Sequence, residues 1–581
     1  MNNKDVAEIL NEMALLLELS GENPFKIRAY AEGARIIESL DSPVAELIQS
    51  GTLSQIKGIG KTLSLQIGQL VQEGKTPLHE ELKAAFPEGV RQMLRVPGLG
   101  PKKVKELYNE LGIRSLGELE YACHENRLLT LSGFGPKSQE KILRGIEQIK
   151  KYQGRFLFGG AYLQALTILE ALRSHPSTLQ ASLAGSLRRR METVKDLDLV
   201  AESAHPEEIM NFFVSLPMVE QVIAQGPTKS SLLLESGIQA DLRVVGPGQF
   251  PYALHHFTGS KEHHTALRQR AKQMGFKLNE YGLFKRDQLI PCQDETAIYQ
   301  RLGLPFIPPE LRENWGELEA AEGGSLPVLL EEKDLQGTFH FHTQASDGTP
   351  TLAQWVDAAG KAGLTYLGIS DHSQSAAYAG GLKSDQLEKQ RAEITAINQK
   401  QQKVFLFRGI ESDILPDGSL DYPKEILSQF DFVIASVHSR FNMTETEMTN
   451  RIIRAMENPY TTMLGHPTGR LLLARDPYPV DMNKILEAAA RHGVIIELNA
   501  NPHRLDLDWR LMKKAKQLGI KIAINPDAHH LDGLEDLAYG VGIARKGWLT
   551  REDVFNCLEV DQIQSYFNHR KKPSSRQPRQ Q

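Results

Sequence analysis

Apolar residues follow a helical spacing in the first part of the chain and form shorter, strand-like runs further on. Ile9, Met13 and Leu16 lie three or four residues apart, as in an amphipathic helix, and similar patterns separated by glycine turns continue to about residue 150. From about residue 155 the pattern is mixed, and three short apolar runs predict β-strands: 180–185, 196–201 and 239–245. The chain is therefore expected to begin with helical domains and to continue into an α+β domain.

The second half of the chain alternates short apolar runs with helical segments. Representative strand-like runs are 366–370, 432–436 and 494–498. This βα alternation predicts a barrel-like α/β domain. The acidic, glycine-containing segment 314–332 is interpreted as a linker. The segment 569–581 holds five Lys/Arg and no acidic residue, which predicts a disordered basic tail.

Length and composition place the chain among multidomain soluble proteins. Its 581 residues exceed what one hydrophobic core accommodates, and 41% hydrophobic and 24% charged residues are ordinary values for a globular protein. A net charge of -5 gives no global basic signature, so any contact with nucleic acid must be local. Three widely spaced cysteines favour a reducing cytoplasm, and neither a signal peptide nor a membrane span is predicted.

Three segments share one design, in which two glycines flank an apolar residue ahead of a helical pattern. Glycine lets the backbone approach a phosphate closely, and the following helix start offers free N–H donors. A single copy would be equally well explained as an ordinary helix–helix turn, but three copies disfavour that alternative. They resemble helix-hairpin-helix motifs, which grip the DNA backbone without reading sequence. The expected DNA contacts are Gly58, Gly60, Lys61, Gly98, Gly100, Lys102, Gly133, Gly135 and Lys137.

Two aspartates on one predicted strand are candidate metal ligands. Asp196 and Asp198 would project from the same face about 7 Å apart, with Leu197 and Leu199 directed into the core. Such a pair can hold two Mg²⁺ ions about 4 Å apart for in-line attack on phosphorus. Asp241, on the predicted strand 239–245, fits as the third carboxylate. An Asp-x-Asp pair alone is more often a solvated strand edge, so its neighbours decide the interpretation.

Those neighbours favour a nucleotidyltransferase. Gly185 and Ser186 supply a backbone turn and a hydroxyl for triphosphate oxygens, and Arg188 and Arg189 follow directly. Further along, 256–260 precedes an amphipathic stretch and then 279–284.

With these segments, residues 1 to about 313 resemble the family X DNA polymerases. The resemblance implies that Asp196, Asp198 and Asp241 are the catalytic metal-binding triad and that Mg²⁺ or Mn²⁺ is the cofactor. It further implies that dNTP is the nucleotide, because Phe257 beside the sugar would disfavour a 2′-hydroxyl. The implied nucleotide-binding residues are Gly185, Ser186, Arg189, Phe257, Gly259 and His264, and the implied template-side contacts are Arg268, Glu280 and Tyr281.

Two positions depart from the family pattern. The common Tyr-Phe pair reads His256-Phe257, and His264 stands where animal members carry a base-contacting asparagine, so nucleotide selection is expected to differ. Gln66 occupies the position of the lysine that forms a Schiff base in members with deoxyribose-phosphate lyase activity. Because a Schiff base needs an amine, that activity is not expected here. Lys26, Arg28 and Tyr30 are candidates for a downstream 5′-phosphate, with a solvated helix face as the alternative.

Histidines and carboxylates end several separate apolar runs of the second half. His340 and His342 form a His-x-His pair on a predicted strand, which places two imidazoles on one face. In a βα barrel, residues at the carboxyl ends of the strands converge on one mouth. A lone histidine is more often structural, but so many at strand ends predict a multi-metal site.

From 333 to about 568 these residues resemble the PHP (polymerase and histidinol phosphatase) family. The resemblance implies a distorted (βα)₇ barrel with up to three Mn²⁺ or Zn²⁺ ions, with Glu411 as a bridging ligand. The family's Gly-Asp-Leu/Phe-His opening has Thr338 in place of the aspartate, so support for a ligand is expected to be missing there. Arg440 and Arg470 are candidate phosphate clamps. The nine matching ligand positions are His340, His342, Asp347, His372, Glu411, His438, His466, Asp527 and His529.

The expected fold is multidomain α+β and α/β, with helical domains, a nucleotidyltransferase palm with a mixed sheet, a thumb and a (βα)₇ barrel. The expected divisions are a helical DNA-binding domain at 1–85, fingers at 86–152, palm at 153–250, thumb at 251–313, linker at 314–332, PHP domain at 333–568 and tail at 569–581.

The leading hypothesis is a monomeric polymerase that fills short gaps in base-excision repair. Its partners would be dNTP and gapped or nicked DNA with a 3′-hydroxyl primer and a 5′-phosphate. The PHP domain would add 3′-5′ exonuclease or 3′-phosphatase activity, and AP-endonuclease activity is a further prediction. The alternatives are a small-molecule phosphoesterase resembling histidinol phosphatase, and a non-catalytic DNA-binding scaffold with structural metals.

Overall fold

A computed structural model describes residues 1–38, 40, 42–150, 154–400 and 403–571. The chain divides into two compact units, Met1–Lys150 and Lys151–Gln581. No helix within the described ranges is long and apolar enough to cross a membrane.

The first unit is helical, in agreement with the predicted spacing. Asn2 caps the first helix through the backbone N–H of Asp5, and Gly21, at φ +80°, ends it. The apolar faces close around Leu10, Leu17 and Ile67. The helices are α1 (Asn3–Ser20), α2 (Pro24–Glu38), α3 (Val44–Gln49), α4 (Lys61–Glu73), α5 (Pro77–Ala85), α6 (Glu88–Met93), α7 (Pro101–Glu110), α8 (Leu116–His124) and α9 (Pro136–Lys150).

The second unit begins with a mixed five-stranded sheet in the order β2-β4-β7-β6-β5, in which β4 and β7 run parallel. Its strands and helices are β1 (Phe156–Leu157), α10 (Phe158–Ser174), β2 (Gln180–Leu183), α11 (Gly185–Arg188), β3 (Thr193–Val194), β4 (Asp196–Glu202), α12 (Pro206–Val214), β5 (Val219–Gln225), β6 (Lys229–Leu234) and β7 (Gln239–Val245). Leu197 and Leu199 are buried in its core, as the alternation predicts. The predicted strand 180–185 ends at Leu183, because Ala184 begins the turn into α11.

Helices and a small antiparallel sheet in the order β10-β9-β8 follow the palm. They are α13 (Phe250–Thr258), α14 (Lys261–Gln273), β8 (Phe276–Asn279), β9 (Gly282–Lys285), β10 (Gln288–Ile290) and α15 (Glu295–Arg301). A core around Leu267, Leu283 and Tyr299 joins them.

The segment 314–332, for which the sequence predicts a linker, is instead packed against its neighbours. It contains α16 (Glu317–Glu322), and the ring of Trp315 packs edge-on against Trp509 at 5.2 Å. Glu317 is fully buried, with its carboxylate 2.7 Å from His263 Nδ1. The acidic composition suggested solvent exposure, but the buried histidine satisfies the carboxylate.

Seven parallel strands, in sequence order β11 to β17, form the second domain of this unit. The barrel closes where Phe341 bridges Ala528, and the His342 N–H donates to the Ala528 carbonyl at 3.0 Å. This architecture confirms the predicted (βα)₇ barrel. Its elements are β11 (Gly337–Phe341), α17 (Leu352–Lys361), β12 (Tyr366–Ile369), α18 (Ser384–Lys400), β13 (Phe405–Asp413), α19 (Lys424–Leu427), β14 (Phe432–Ser436), α20 (Glu445–Glu457), β15 (Met463–Leu464), α21 (Met482–His492), β16 (Ile495–Asn499), α22 (Trp509–Gln517), β17 (Ile522–Asn525), α23 (Leu537–Lys546) and α24 (Val560–Lys571).

Helix α24 covers an aromatic cluster of the barrel. The ring of Phe567 stacks on Phe432 at 5.8 Å, and Arg570 donates to the Gly493 carbonyl at 2.5 Å. Residues 569–571 are therefore helical, which corrects the predicted start of the basic tail. The rest of that prediction, 572–581, lies outside the described residues.

Candidate active sites

The three palm aspartates lie on two adjacent parallel strands. Asp196 and Asp198 occupy alternate positions of β4, so they share a face of the sheet, while Leu197 between them is fully buried. Asp198 pairs in register with Asp241 of β7. Neighbouring strands lie about 4.8 Å apart, so the structure brings all three carboxylates together on one face of the sheet, as predicted.

The electrostatics around these three carboxylates favour a bound cation. Burial, together with the charges of Asp196 and Asp241, raises the pKa of the Asp198 carboxyl to about 7. Burial and the Asp241 charge also raise the pKa of Asp196. Like charges held together in this way are relieved by a divalent ion. The donor set therefore fits the oxygen-preferring Mg²⁺ or Mn²⁺ that the sequence predicts.

The turn that follows β2 requires a glycine at position 185. Gly185 has a φ of +58°, and a Cβ placed there would stand 1.9 Å from Asp198 Oδ2. The Ala184 N–H donates to the Asp198 carbonyl at 2.8 Å, which fixes the turn to β4. Ser186 follows, half-buried at the start of α11.

The two arginines after this turn make ion pairs that sequence reasoning missed. Arg188 pairs with Glu295 at 2.5 Å and donates to the Thr258 hydroxyl at 2.6 Å. Arg189 donates to Glu313 at 3.0 Å and to the Thr258 carbonyl at 2.5 Å. Arg189 therefore connects the turn to the segment that precedes Gly259.

The segment that contains Phe257 and Gly259 faces the same turn. Gly259 has a φ of +73°, and a Cβ there would be 2.8 Å from Arg189 Nη1. The half-buried Phe257 ring lies 5.0 Å from the Arg243 guanidinium. His264 is buried among other histidines, with its ring 4.8 Å from that of His255. Burial, with the neighbouring histidine charges, lowers the pKa of His264 to about 3, so its ring is neutral.

The expected template-side residues lie around His256. Arg268 is exposed and donates to His256 Nδ1 at 3.0 Å, and Glu280 Oε2 lies 4.0 Å from the same nitrogen. Tyr281, in the turn between β8 and β9, is exposed. The structure thus brings Arg268 and Glu280 together, while Tyr281 extends towards solvent.

Each of the three glycine turns leads into a helix start, as the motif predicts. Gly58, Gly98 and Gly133 have φ values of +98°, +91° and +83°, which only glycine adopts without strain. The helices that follow are α4, α7 and α9. Within the described ranges, no other atom lies within 4 Å of a Cβ placed on Gly60 or Gly100.

The lysines of these turns and the residues of α2 differ in exposure. Lys61, Lys102 and Lys137 are all exposed at the helix starts. On α2, Arg28 is exposed and stacks on Phe25 at 5.2 Å, whereas Tyr30 is buried and cannot contact a phosphate. Gln66 lies half-buried on α4.

The nine predicted barrel ligands converge at the carboxyl ends of the strands. His340 and His342 come from the end of β11, with ring centroids 5.3 Å apart, although His340 departs from strand geometry at φ +66°. Glu411 lies within β13. The others follow β11, β12, β14, β15 and β17: Asp347, His372, His438, His466, Asp527 and His529.

Glu411 stands at the centre of this cluster. Its Oε1 lies 3.1 Å from His466 Nε2 and 3.2 Å from both His340 Nε2 and His438 Nε2. Its Oε2 lies 2.9 Å from His372 Nδ1. A carboxylate with histidines around both oxygens is suited to bridge two ions. Among the described residues of the barrel, three overlapping ligand groups form: His342, Asp347, His372 and His529; His340, His342 and Asp527; and His372, Glu411 and His438.

Orphaned polar atoms show that these residues fit metal ions. Among the described residues, His340 Nε2, His342 Nε2 and Glu411 Oε2 are buried, and their approaches to neighbouring atoms do not have the geometry of hydrogen bonds. Burial opposes ionisation of Glu411, yet the charges of His438, His340 and His372 hold its carboxyl pKa well below the usual range. Buried polar atoms without partners are costly, and their lone pairs could coordinate a metal ion.

The missing aspartate at position 338 is replaced from another strand, which corrects the prediction of lost support. Glu497 of β16 is fully buried, and its Oε2 lies 2.7 Å from His340 Nδ1. Its Oε1 accepts the His466 N–H at 2.9 Å. Asp413 orients His438 in the same way, at 2.6 Å. His340 and His438, two of the predicted ligands, therefore each have a carboxylate partner that fixes the orientation of the ring.

Arg470 is not placed to clamp a phosphate. It is buried and pairs with Asp508 at 3.0 Å and with Glu192 of the palm at 3.2 Å. Arg440 is exposed, two residues after the ligand His438. The buried Arg504, which sequence reasoning missed, lies 3.6 Å from Asp527. Arg470 is thus a contact between palm and barrel.

Family models match four parts of the chain. They are a helix-hairpin-helix domain at residues 1–76, a SAM-like helix-hairpin-helix tandem at 90–148, a DNA polymerase beta thumb at 253–313 and a PHP domain at 338–501. Both halves of the chain are therefore represented.

Similar proteins cover either about two fifths of the chain or nearly all of it. A probable phosphatase of Thermoanaerobacter sp. is 28% identical over 250 residues, covering 40% of this chain and 94% of the relative. A crystal structure of Leishmania infantum polymerase beta, a ternary P/T complex, aligns at 22% identity and a TM-score of 0.26, covering 39% of this chain and 98% of that one. The DNA polymerase/3′-5′ exonuclease PolX of Bacillus subtilis is 39% identical over 571 residues, 98% of this chain and 99% of the relative. Because that identity spans nearly the full length of both proteins, the chain belongs to the PolX family, the family X DNA polymerases with a C-terminal PHP domain.

Proposed function

We propose that this chain fills short gaps in DNA at the palm and trims 3′ ends at the barrel, as part of base-excision repair. The observation that carries the first activity is the register of Asp198 with Asp241, which gathers three carboxylates beside the Gly185 turn. The name of the Bacillus relative, a polymerase and 3′-5′ exonuclease, supports both activities.

At the palm, the residues of the chain bind and orient the incoming dNTP. Mg²⁺ or Mn²⁺, held by Asp196, Asp198 and Asp241, would supply positive charge to the transferring phosphoryl group. The backbone of Gly185 and the Ser186 hydroxyl would donate to the triphosphate oxygens. Phe257 would lie against the sugar and disfavour a 2′-hydroxyl, while Gly259 leaves room for the Arg189 guanidinium beside it.

The helical unit would hold the gapped or nicked DNA substrate. Its three glycine turns end at helix starts with exposed lysines, and backbone N–H groups with lysines recognise phosphates of any sequence. Gln66 provides no amine, so we propose that no Schiff base forms there. Borohydride treatment with a 5′-deoxyribose-phosphate substrate should therefore trap no adduct at this position.

At the barrel, Glu411 and the surrounding histidines would hold up to three Mn²⁺ or Zn²⁺ ions, which would supply a metal-activated water and positive charge for the phosphate. Glu497 and Asp413 would keep His340 and His438 oriented. The same chemistry would remove 3′ nucleotides or 3′-phosphates and cleave at abasic sites. Elemental analysis of the purified protein tests the choice of metal.

Gap filling is tested with Asp198→Ala on a duplex with a one-nucleotide gap. The variant is expected to lose synthesis and to keep 3′ trimming. Glu235→Ala, an exposed carboxylate of the same domain, is the matched control and should retain both activities. Undiminished synthesis by Asp198→Ala would contradict the assignment.

Trimming is tested with His342→Ala on a recessed and on a mismatched 3′ end. This variant should retain synthesis and lose trimming, because His342 belongs to two of the ligand groups. His492→Ala, on barrel helix α21 outside the cluster, is the control. Equal trimming by His342→Ala and the parent would count against the barrel as the nuclease.

A second candidate for the barrel is a phosphatase for small phosphomonoesters. The probable phosphatases that match 40% of the chain favour it. Turnover of free phosphomonoesters, lost in His342→Ala and unaccompanied by DNA cleavage, would establish this activity instead. We further propose that the protein acts as a monomer, which light scattering of the purified chain tests.

A further inference from the structure

Helix α23 of the barrel presents one face to the palm. Tyr539, Gly542 and Lys546 are spaced three and four residues apart and so share that face. The Tyr539 ring packs edge-on against Phe158 at 5.8 Å, and a Cβ on Gly542 would be 3.1 Å from Arg190 Cδ. The helix therefore contacts the palm segment that directly follows the nucleotide-binding turn.

Lys546, at the end of α23, is a fully buried cation at this contact. Its ammonium donates to the Glu313 carboxylate at 2.6 Å and to the Arg189 carbonyl at 3.1 Å. Burial lowers the pKa of Lys546, and the Glu313 charge opposes that shift. A buried ammonium is costly without a partner, so this lysine depends on Glu313.

Glu313 is shared between the barrel and the nucleotide turn. The oxygen that accepts from Lys546 also accepts from Arg189 Nε at 3.0 Å. Arg189 in turn donates to the Thr258 carbonyl and lies where a side chain on Gly259 would stand. One chain of contacts thus runs from the barrel lysine to both segments expected to hold dNTP.

We propose that Lys546 is a positioning residue for nucleotidyl transfer, so that the barrel forms part of the polymerase nucleotide site. Lys546 holds Glu313 and the Arg189 backbone, and Arg189 then holds the Thr258–Gly259 segment. This inference rests on the proposed role of Arg189 and Gly259 in binding dNTP. Without the lysine, Glu313 is no longer held in place, so it positions Arg189 less well. Binding of dNTP weakens as a result.

The test compares Lys546→Met with the parent in the full-length protein on a duplex with a one-nucleotide gap. The expected result is a rise of at least fivefold in KM for dNTP, with kcat changed less than twofold and barrel trimming unchanged. Lys546→Arg, which restores the cation, should return KM to within threefold of the parent value.

Arg545→Met is the matched control. Arg545 lies on the same helix, but it pairs with Glu310 at 2.7 Å and donates to the Leu330 carbonyl at 2.9 Å rather than to Glu313 or Arg189. A general loosening of the interface would raise KM in both variants, whereas a positioning role raises it in Lys546→Met alone.

Three results would overturn the inference: an unchanged KM in Lys546→Met, an equal rise in Arg545→Met, or a parallel loss of trimming and synthesis. If methionine at 546 prevents folding, Glu313→Gln replaces it, with the same expected rise and the same overturning results. A parent protein that cannot synthesise DNA would instead count against the proposed function.

Discussion

Replacing Asp198 by asparagine should stabilise the metal-free protein at high pH. In the folded chain, burial and the charges of Asp196 and Asp241 raise the Asp198 pKa from 3.8 to about 7. The folded state therefore keeps a proton that the unfolded state has released. Ionising Asp198 costs stability progressively between those two pH values, and the cost is complete above pH 7. Asparagine has the same shape without the charge, so it avoids this cost.

The magnitude follows from the difference between the two pKa values. At about 1.4 kcal/mol for each pH unit, the full cost is on the order of 4 kcal/mol. Relaxation of the site and the coupling among the three aspartates make this figure an upper bound. For a unit of several hundred residues, that corresponds to a rise of several degrees in melting temperature.

The assay is thermal unfolding in EDTA at pH 4 and at pH 8, for the parent and for Asp198→Asn. The variant should melt several degrees higher at pH 8 and at nearly the same temperature at pH 4. Added Mg²⁺ should stabilise the parent more than the variant, because binding relieves the same repulsion. The reasoning would be refuted if the parent and Asp198→Asn melted at the same temperature at pH 8 without metal. It would also be refuted if the substitution stabilised the protein equally at pH 4 and at pH 8.

Three further substitutions separate the two sites. Gly185→Ala places a Cβ 1.9 Å from Asp198 Oδ2, and misplacement on that scale should reduce gap filling about a hundredfold while trimming is retained. Glu497→Gln removes the carboxylate on His340 and should weaken barrel metal binding by about 10- to 100-fold in titrations, with synthesis unchanged. Arg470→Met breaks the buried pair with Glu192 and should lower the melting temperature, at a cost of about 3–5 kcal/mol, without changing KM for DNA in trimming. A rise in that KM would instead support the original prediction that Arg470 binds a phosphate of the substrate.

The strand that carries Asp196 and Asp198 was predictable because side chains alternate strictly along a strand. Buried Leu197 and Leu199 fix which face the carboxylates occupy. The register of Asp198 with Asp241 was not predictable in the same way, since it depends on the ladder between β4 and β7 rather than on either segment alone. Sequence could name the three aspartates, but only the sheet could place them together.

Residues that orient a predicted metal ligand are harder to identify from the sequence than the ligand itself. Glu497 stands in an otherwise apolar run, 494–498, which predicts a strand. A carboxylate at a fully buried strand position needs a partner, so this irregularity was a usable signal. Its partner, His340, is 157 residues away in sequence, and no local pattern could identify it.

The segment 314–332 shows why the relation between the two catalytic domains could not be obtained from composition. Its acidic residues and glycines suggested a linker, which would leave the barrel free of the palm. Glu317 instead packs onto His263, Trp315 packs against Trp509 of the barrel, and Arg470 of the barrel pairs with Glu192 of the palm. Removing one residue of a buried ion pair leaves its partner's charge buried without compensation, which is costly. We therefore expect a substitution on one side of this contact to destabilise the other side as well, although it touches none of the residues proposed to perform either reaction.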